Sequence, residues 1–101
     1  MFLTVVIFFL VGLLAFNGIP HLIKGITGQS HMTPFAQRSG PVVNVLWGNL
    51  NLIIAWVLWY FVETEGADLV KWIAFFIGGW IISIYLADFW KDPDAKLPWH
   101  K

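Results

Sequence analysis

The sequence has no cysteine, which excludes a disulfide framework, a thiolate metal site and a cysteine nucleophile. Charge is scarce as well: six acidic and six basic side chains make up 12% of the 101 residues, and the formal net charge is zero. An ordinary soluble domain carries about 25% charged residues. A nucleic-acid partner is not expected, because such a partner requires a basic face or stripe. So few charges also leave too little polar surface for a water-soluble domain of this size.

Hydrophobic side chains, in contrast, are abundant. They make up 58% of the chain, and aromatic side chains make up 18%. Three segments are apolar over about 20 residues, the length of helix that crosses a hydrocarbon layer about 30 Å thick. We therefore predict an all-α integral membrane protein, with residues 1–101 forming a single membrane domain. The expected elements are helices at about 2–22, 41–62 and 68–90, a loop at 23–40 and a tail at 91–101.

Several residues mark the expected helix ends. The first segment lacks the positive start and the small-residue cleavage site of a signal peptide, which favours its retention as the first helix. Pro20 predicts that this helix ends or kinks there, because proline has no backbone N–H. Pro41 suits the first position of the second helix. Gly66 supplies a turn, and Asp68 lies at the positive dipole end of the third helix.

The charges predict an orientation, because cytoplasmic segments of membrane proteins are enriched in lysine and arginine. Three crossings place the first connection and the tail on one side, and the second connection on the other. The first side holds Lys24, Arg38, Lys91, Lys96 and Lys101, and the second holds Lys71 with Glu63, Glu65 and Asp68. We expect an N-terminus outside and a cytoplasmic C-terminus, in a plasma membrane such as the bacterial inner membrane.

The short second connection predicts an antiparallel hairpin of the second and third helices, with the first helix beside it. Small residues allow helices to approach closely in lipid, where no hydrophobic force joins them. Matching residues by depth places Asn51 opposite Trp80, and we expect a hydrogen bond between them. The predicted packing faces are Gly48, Asn51 and Ala55 on the second helix and Gly79, Trp80, Ser83 and Ala87 on the third.

Polar side chains gather near the cytoplasmic ends of the three predicted helices. This candidate cluster comprises Asn17, His21, Asn44, Asn49 and Asp88. A His21–Asp88 pair would relay protons or hold a small cation. The favoured interpretation is simpler: the asparagines join helices, His21 is interfacial and Asp88 reaches the headgroups. Asn49 lies on a different helix face from Asn44 and is free to meet Asn17 or a neighbouring chain.

The loop at 23–40 and the tail at 91–101 are expected to lie along the membrane surface. Their candidate interfacial residues are Lys24, His31, Phe35, Arg38, Trp90 and Trp99. Basic side chains meet anionic headgroups, and aromatic side chains prefer the headgroup level. This face is the expected docking surface for a soluble partner or a cofactor-bearing subunit.

No motif predicts an enzyme. The three histidines lack HxxxH or HExxH spacing, and the chain has no GxSxG elbow and no phosphate-binding loop. No cofactor and no metal are expected. The leading hypothesis is a non-catalytic subunit or assembly partner of a larger membrane complex, or a self-associating module, whose partners are the lipid bilayer and other transmembrane helices. The rival is an oligomeric carrier or channel for a small polar solute or cation. A third, weaker alternative is a haem protein or membrane enzyme that uses His21.

Overall fold

The computed structural model describes residues 1–62 and 66–100, and within them three long helices and one short β-hairpin make up the fold. Helix α1 spans Phe2–Ile26, α2 spans Pro41–Phe61 and α3 spans Asp68–Trp90. Between α1 and α2, strand β1 (His31–Thr33) pairs antiparallel with β2 (Ala36–Ser39). The prediction of three helices long and apolar enough to cross a membrane is confirmed, and these helices are consistent with a membrane location.

The first connection differs most from the prediction. Pro20 does not end α1, which continues through it to Ile26. Proline removes one donor, but the other backbone groups of the turn can still bond. Thr27 then ends the helix: its hydroxyl donates to the Ile23 carbonyl at 2.7 Å. Gly28 follows with φ of +77°, a conformation that favours glycine, and it turns the chain towards β1.

The second helix begins at Pro41, as predicted. Glu63, Thr64, Glu65 and Lys101 lie outside the described residues. The predicted acidic turn, and the contribution of Glu63, Glu65 and Lys101 to the charge asymmetry, therefore fall outside the described residues as well.

The structure corrects the predicted helix packing, because α1 lies between the other two helices. It packs extensively against both α2 and α3, which contact each other much less. The contacts between α2 and α3 include the rings of Trp59 and Trp72, whose centroids are 4.6 Å apart. The expected Asn51–Trp80 hydrogen bond is absent: Trp80 is 70% exposed, and the side-chain amide oxygen of Asn51 accepts a bond from the side-chain amide of Asn17 of α1 at 3.3 Å.

Glycines explain why α1 occupies the centre. A Cβ atom at Gly78 of α3 would overlap the carbonyl group of Phe9, and one at Gly12 of α1 would overlap the carbonyl group of Phe75. Gly18 of α1 and Gly48 of α2 approach each other in the same way. These contacts bring the helix backbones together on both sides of α1, which is the close approach that small residues permit.

All three residues of the predicted α2 packing face are buried, whereas most of the predicted α3 face is exposed. Gly48, Asn51 and Ala55 are buried on α2, where Gly48 and Asn51 face α1 instead of α3. Gly79 is buried against Phe16 of α1. The other members of the predicted α3 face, Trp80, Ser83 and Ala87, are exposed.

Candidate functional site

The side chain of Asn44 joins three elements at the end of the bundle where α1 ends and α2 begins. It is completely buried. Its amide nitrogen lies 3.0–3.1 Å from the carbonyl oxygens of His31, Ser39 and Gly40. Its amide oxygen lies 2.9 Å from Nδ1 of His21. Asn44 therefore links the start of α2 both to the β-hairpin and to α1.

These contacts determine the hydrogen positions on His21. The Asn44 amide nitrogen must face the three carbonyl oxygens, because only the nitrogen carries hydrogens to donate. Its oxygen can only accept, so Nδ1 of His21 donates the bond between them. In the neutral imidazole, Nε2 then carries a lone pair. His21 is buried with 3% exposure, so it faces the protein interior and not the surface.

Three rings pack together beside this bond. The centroids of His31 and Trp90 are 4.2 Å apart, and those of His21 and His31 are 5.4 Å apart. The His21 and Trp90 centroids are also 5.4 Å apart, in an edge-to-face arrangement. Nε2 of His31 is buried and has no hydrogen-bond partner among residues 1–62 and 66–100. The cluster brings together one residue each from α1, β1 and the end of α3.

The tail covers the β-hairpin through side-chain hydrogen bonds. Nε2 of His100 donates to the Thr33 carbonyl at 2.9 Å, while its Nδ1 accepts from the Leu97 amide at 3.0 Å. The Trp99 indole donates to the Pro34 carbonyl at 2.6 Å. The Gln37 amide reaches the carbonyls of residues 94 and 95 at 3.1 and 3.2 Å. The hairpin and the tail therefore form one structural cap over the end of the helices.

A cavity of about 200 Å³ lies beneath this cap. All three helices, the β-hairpin and the tail contribute to its walls. The lining residues are Asn17, His21, Met32, Thr33, Pro34, Trp47, Ile82, Tyr85, Leu86, Phe89, Trp90 and Leu97. None of them is charged, and most of the accessible wall is hydrocarbon or aromatic. The indole N–H of Trp47 is buried and has no acceptor in the part of the chain that the structure describes.

Comparison with known proteins adds no identification. No protein-family model, curated protein or solved structure matches the chain. The function has to be inferred from the geometry of these residues alone.

The predicted polar cluster is only partly assembled. His21 and Asn44 bond to each other, and Asn17 bonds to Asn51. The less favoured alternative, a His21–Asp88 pair, is not formed: the Asp88 side chain is 76% exposed and forms an ion pair with Lys91 at 2.9 Å. Exposure keeps that carboxylate in contact with solvent or headgroups. The favoured interpretation of His21 as an interfacial residue is also wrong, because His21 is buried.

Asn49 is also separate from the cluster. It lies on the exposed face of α2, and its amide makes no hydrogen bond within the described residues. The expected contact with Asn17 is not formed. The other alternative stated for this residue, a contact with a neighbouring chain, stays a prediction.

The six predicted interfacial residues have different surroundings. The Lys24 ammonium donates to the Gln29 side chain at 3.0 Å. Phe35 is 70% exposed and has its ring 5.4 Å from that of Trp47. Arg38 and Trp99 are exposed, whereas His31 and Trp90 are half-buried in the ring cluster. The last two residues therefore contribute to the site and not only to the surface.

Sequence reasoning missed several residues of the site. It assigned no role to His100, to the buried Thr33–Ser39 hydroxyl pair at 2.6 Å, or to the Trp47 indole. The bonds of His100 span 67 residues to Thr33, and no local pattern indicates such a contact. The available signal was weaker: an aromatic pair, Trp99–His100, in a tail otherwise rich in proline and charge.

The site offers little for a metal ion. No group of three or more histidine or acidic side chains lies together within residues 1–62 and 66–100. His21 already uses Nδ1 to bond Asn44. The two neighbouring imidazoles are better suited to packing and hydrogen bonding than to a tetrahedral site, which takes four ligands.

We expect His31 to stay neutral well below neutral pH. Burial, together with electrostatic repulsion from His21 and Lys24, lowers its pKa from 6.5 to about 4. Arg38 and Asp92 line the same recess from β2 and the tail. Between pH 6.5 and about 4 the unfolded chain binds a proton that the folded chain does not, so stability falls as pH falls through that range. NMR titration of the His31 ring should show its midpoint near pH 4.

A His31→Phe variant provides the control for this titration. Phenylalanine keeps a ring against Trp90 but cannot titrate. The unfolding midpoint of the variant should therefore depend less on pH between 6.5 and 4 than that of the native protein. Equal pH dependence in the two proteins would contradict the assignment to His31.

Proposed function

We propose that the chain is a membrane-embedded, non-catalytic subunit that binds another transmembrane helix through the outer face of α2. The observation that supports this function most directly is that the side-chain amide of Asn49 is exposed on an apolar helix face. This amide lies on an exposed face among Leu46, Leu50 and Ile53, which are 64%, 47% and 57% exposed. The protein itself supplies no partner for that amide within the described residues.

The position of Asn49 along α2 strengthens the argument. At about 1.5 Å per residue, α2 is about 31 Å long and Asn49 lies about 12 Å from its Pro41 end. In a bilayer of ordinary thickness that depth is within the hydrocarbon region. An unpaired amide there costs free energy, because no water is present to bond it. A polar group on a neighbouring helix removes that cost, and the flanking aliphatic side chains supply the packing.

The orientation belongs to the same proposal. We place the β-hairpin and the tail in the cytoplasm and the N-terminus outside, in a plasma membrane of the bacterial inner type. The support is that the fold brings four bases to one end: Lys24, Arg38, Lys91 and Lys96 all lie in or beside the cap. Lysine and arginine enriched on one side mark the cytoplasmic side.

The carrier alternative has weaker support. It requires Asn17, His21, Asn44, Asn49 and Asp88 to form a continuous polar path. In the structure Asn44 has its amide fully occupied, Asp88 bonds Lys91 on the surface, and Asn49 is on another face. These residues do not line a continuous polar path. They also offer no recognisable second ligand for a haem. Binding of another transmembrane helix is therefore the preferred function.

Replacing Asn49 with leucine is expected to weaken helix association about threefold to tenfold, the effect of losing one interhelical hydrogen bond in lipid. The measurement is co-purification in mild detergent, followed by intact mass of the complex. A partner chain in fixed ratio identifies a larger complex. Recovery of an untagged copy with a tagged copy identifies self-association.

Two variants make this test specific. Asn49→Gln keeps a side-chain amide and should retain most of the association, whereas Leu46→Ile changes only the shape of the same face and should leave it nearly intact. A protein that is monomeric and without partners in mild detergent would rule out the proposed function. So would an Asn49→Leu protein that associates as well as the native one.

A further inference from the structure

We infer that the helix bound by the outer face of α2 is the α2 helix of a second copy of this chain, paired in parallel so that the two Asn49 amides bond to each other. This inference rests on the function proposed above and names the partner of the same surface. Three observations support it: the spacing of the exposed side chains on α2, the place of Asn49 among them and the chemistry of its amide.

The exposed side chains on one face of α2 recur at alternating intervals of four and three residues. This alternation averages about 3.5 residues, the period of the seam along which two parallel helices wind around each other. The face points away from the buried Asn51 and Ala55, and the cap leaves it uncovered. We call it the α2 seam, and its members are Val42, Leu46, Asn49, Ile53, Trp56 and Tyr60.

The side chains of the α2 seam are suited to pairing with another helix. On the opposite side of α2, Gly48 lets the backbones of α1 and α2 approach closely. The seam instead presents Leu46 and Ile53 on either side of Asn49. Side chains of this size interdigitate when the helix axes are about 8–10 Å apart. Many transmembrane helices pair in this way, with a left-handed crossing of about 20°. The seam therefore fits a helix that carries the same repeat.

Asn49 is the third of the six seam residues and the only asparagine among them. A single asparagine in the seam of a coiled coil specifies the register and the number of helices. The physical reason is that a shifted helix leaves the amide against hydrocarbon, and in lipid no water compensates for that loss. Only an in-register, parallel pair brings each Asn49 to the same level as its counterpart.

The amide of Asn49 is complementary to itself, because one side chain carries both a donor and an acceptor. Two copies of Asn49 can therefore satisfy each other without any other chain. The indole of Trp80, exposed on α3, is a donor only, so two copies of Trp80 cannot pair in this way. The other helical asparagines already bond within the chain; they are Asn17, Asn44 and Asn51.

Membrane insertion supplies the parallel arrangement. Two copies of one chain carry the same charges, so both insert with the same orientation. A two-fold axis along the membrane normal then places each seam residue opposite its counterpart at equal depth. A different protein would need an amide at a matching level, whereas a second copy has one by symmetry. This contact uses the same surface on both copies, so the assembly closes as a dimer.

The absence of cysteine from the described residues and from the whole sequence makes disulfide cross-linking a direct test. Ile53→Cys and Ile54→Cys are a matched pair: both change an exposed isoleucine, at 57% and 40% exposure. The two positions differ by about 100° around the helix, and only Ile53 belongs to the seam. A disulfide requires Cα atoms within about 7 Å of each other. Each variant is oxidised with copper phenanthroline in the membranes of the expressing cells, where all copies share one orientation.

We expect Ile53→Cys to be recovered mostly as a disulfide-linked species with the mass of two chains, and Ile54→Cys to remain mostly monomeric. Phe76→Cys, at an exposed position on α3, measures the linkage that results from random collision. It should form as little linked product as Ile54→Cys. Intact mass spectrometry of the purified product distinguishes two copies of this chain from one copy linked to another protein.

The same cross-link reports the role of the amide. Adding Asn49→Leu to Ile53→Cys should lower the yield of linked dimer about threefold to tenfold, the effect of losing one interhelical hydrogen bond in lipid. Asn49→Gln keeps a donor and an acceptor and should retain most of the yield.

Equal linkage of Ile53→Cys and Ile54→Cys would overturn the inference, as would a yield for Ile53→Cys no higher than that of Phe76→Cys. A linked dimer that forms equally well with Asn49→Leu would also overturn it. These results differ from a failure of the proposed function. One copy of the chain in an Asn49-dependent complex with a different protein would exclude the dimer and leave the subunit function standing, whereas a chain without any partner would exclude both.

Discussion

Asn44→Leu should lower the free energy of unfolding by about 2–5 kcal/mol, because it removes several buried hydrogen bonds at once. The His21 N–H loses its acceptor, and the carbonyls of His31, Ser39 and Gly40 lose a shared side-chain donor. Leucine has the same number and branching of side-chain heavy atoms as asparagine, so the substitution leaves no cavity. Denaturant titration of the detergent-solubilised protein, followed by tryptophan fluorescence, measures the change.

The chain contains a matched control for this substitution. Asn49→Leu makes the same chemical change on the same helix, but at an exposed position with no hydrogen bond inside the described residues. Its effect on the unfolding of the isolated chain should stay within about 0.5 kcal/mol. Similar losses for the two variants would contradict the role assigned to Asn44.

Gly78→Ala should separate α1 from α3 and lower the free energy of unfolding by about 1–3 kcal/mol or more, as expected when a packed contact is overfilled. The added methyl group would overlap the backbone carbonyl group of Phe9, which cannot rotate away as a flexible side chain can. Helix propensity alone favours alanine over glycine by about 1 kcal/mol. The two effects have opposite signs, so the direction of the change decides which one dominates.

The measurement combines denaturant titration with circular dichroism. Helical content should remain high, because each helix satisfies its own backbone bonds, while the aromatic signals from Phe9 and its neighbours should change. Gly40→Ala is the control: a methyl group there meets no atom within 4 Å. A stabilising Gly78→Ala would show that α1 and α3 are not in the close contact described.

The sequence predicted the bounds of individual helices far better than it predicted which helices pack against each other. Hydropathy and length placed helices at about 41–62 and 68–90, against Pro41–Phe61 and Asp68–Trp90 observed. Pro20 predicted an end or a kink of the first helix, yet α1 continues to Ile26, because a proline signals a break whether or not surrounding contacts hold the helix together. Asn51 was correctly expected to face a neighbouring helix, but the helix was α1 and not α3.

The site around His21 and Asn44 was less predictable, because its contacts join residues that are far apart in the sequence. His21 and Asn44 were both singled out, yet the partner considered for His21 was Asp88, and the bond between His21 and Asn44 was not predicted. Depth is only one coordinate; rotation about each helix axis decides which side chains meet. The cap over the cavity depends on His100 and Thr33, which no periodic pattern connects.

The sequence by itself determined that this protein has three membrane-length helices with few charges, because length and apolar composition are local properties that each segment carries alone. Only the tertiary structure decided that α1 is central, that His21 faces inwards to Asn44, and that the tail closes over the hairpin. Those features depend on close backbone approach at Gly12, Gly18 and Gly78 and on hydrogen bonds between distant residues. Any pair of helices of equal length satisfies the depth requirement, whereas the rotation of each helix decides whether Gly12, Gly18 and Gly78 meet a neighbouring backbone.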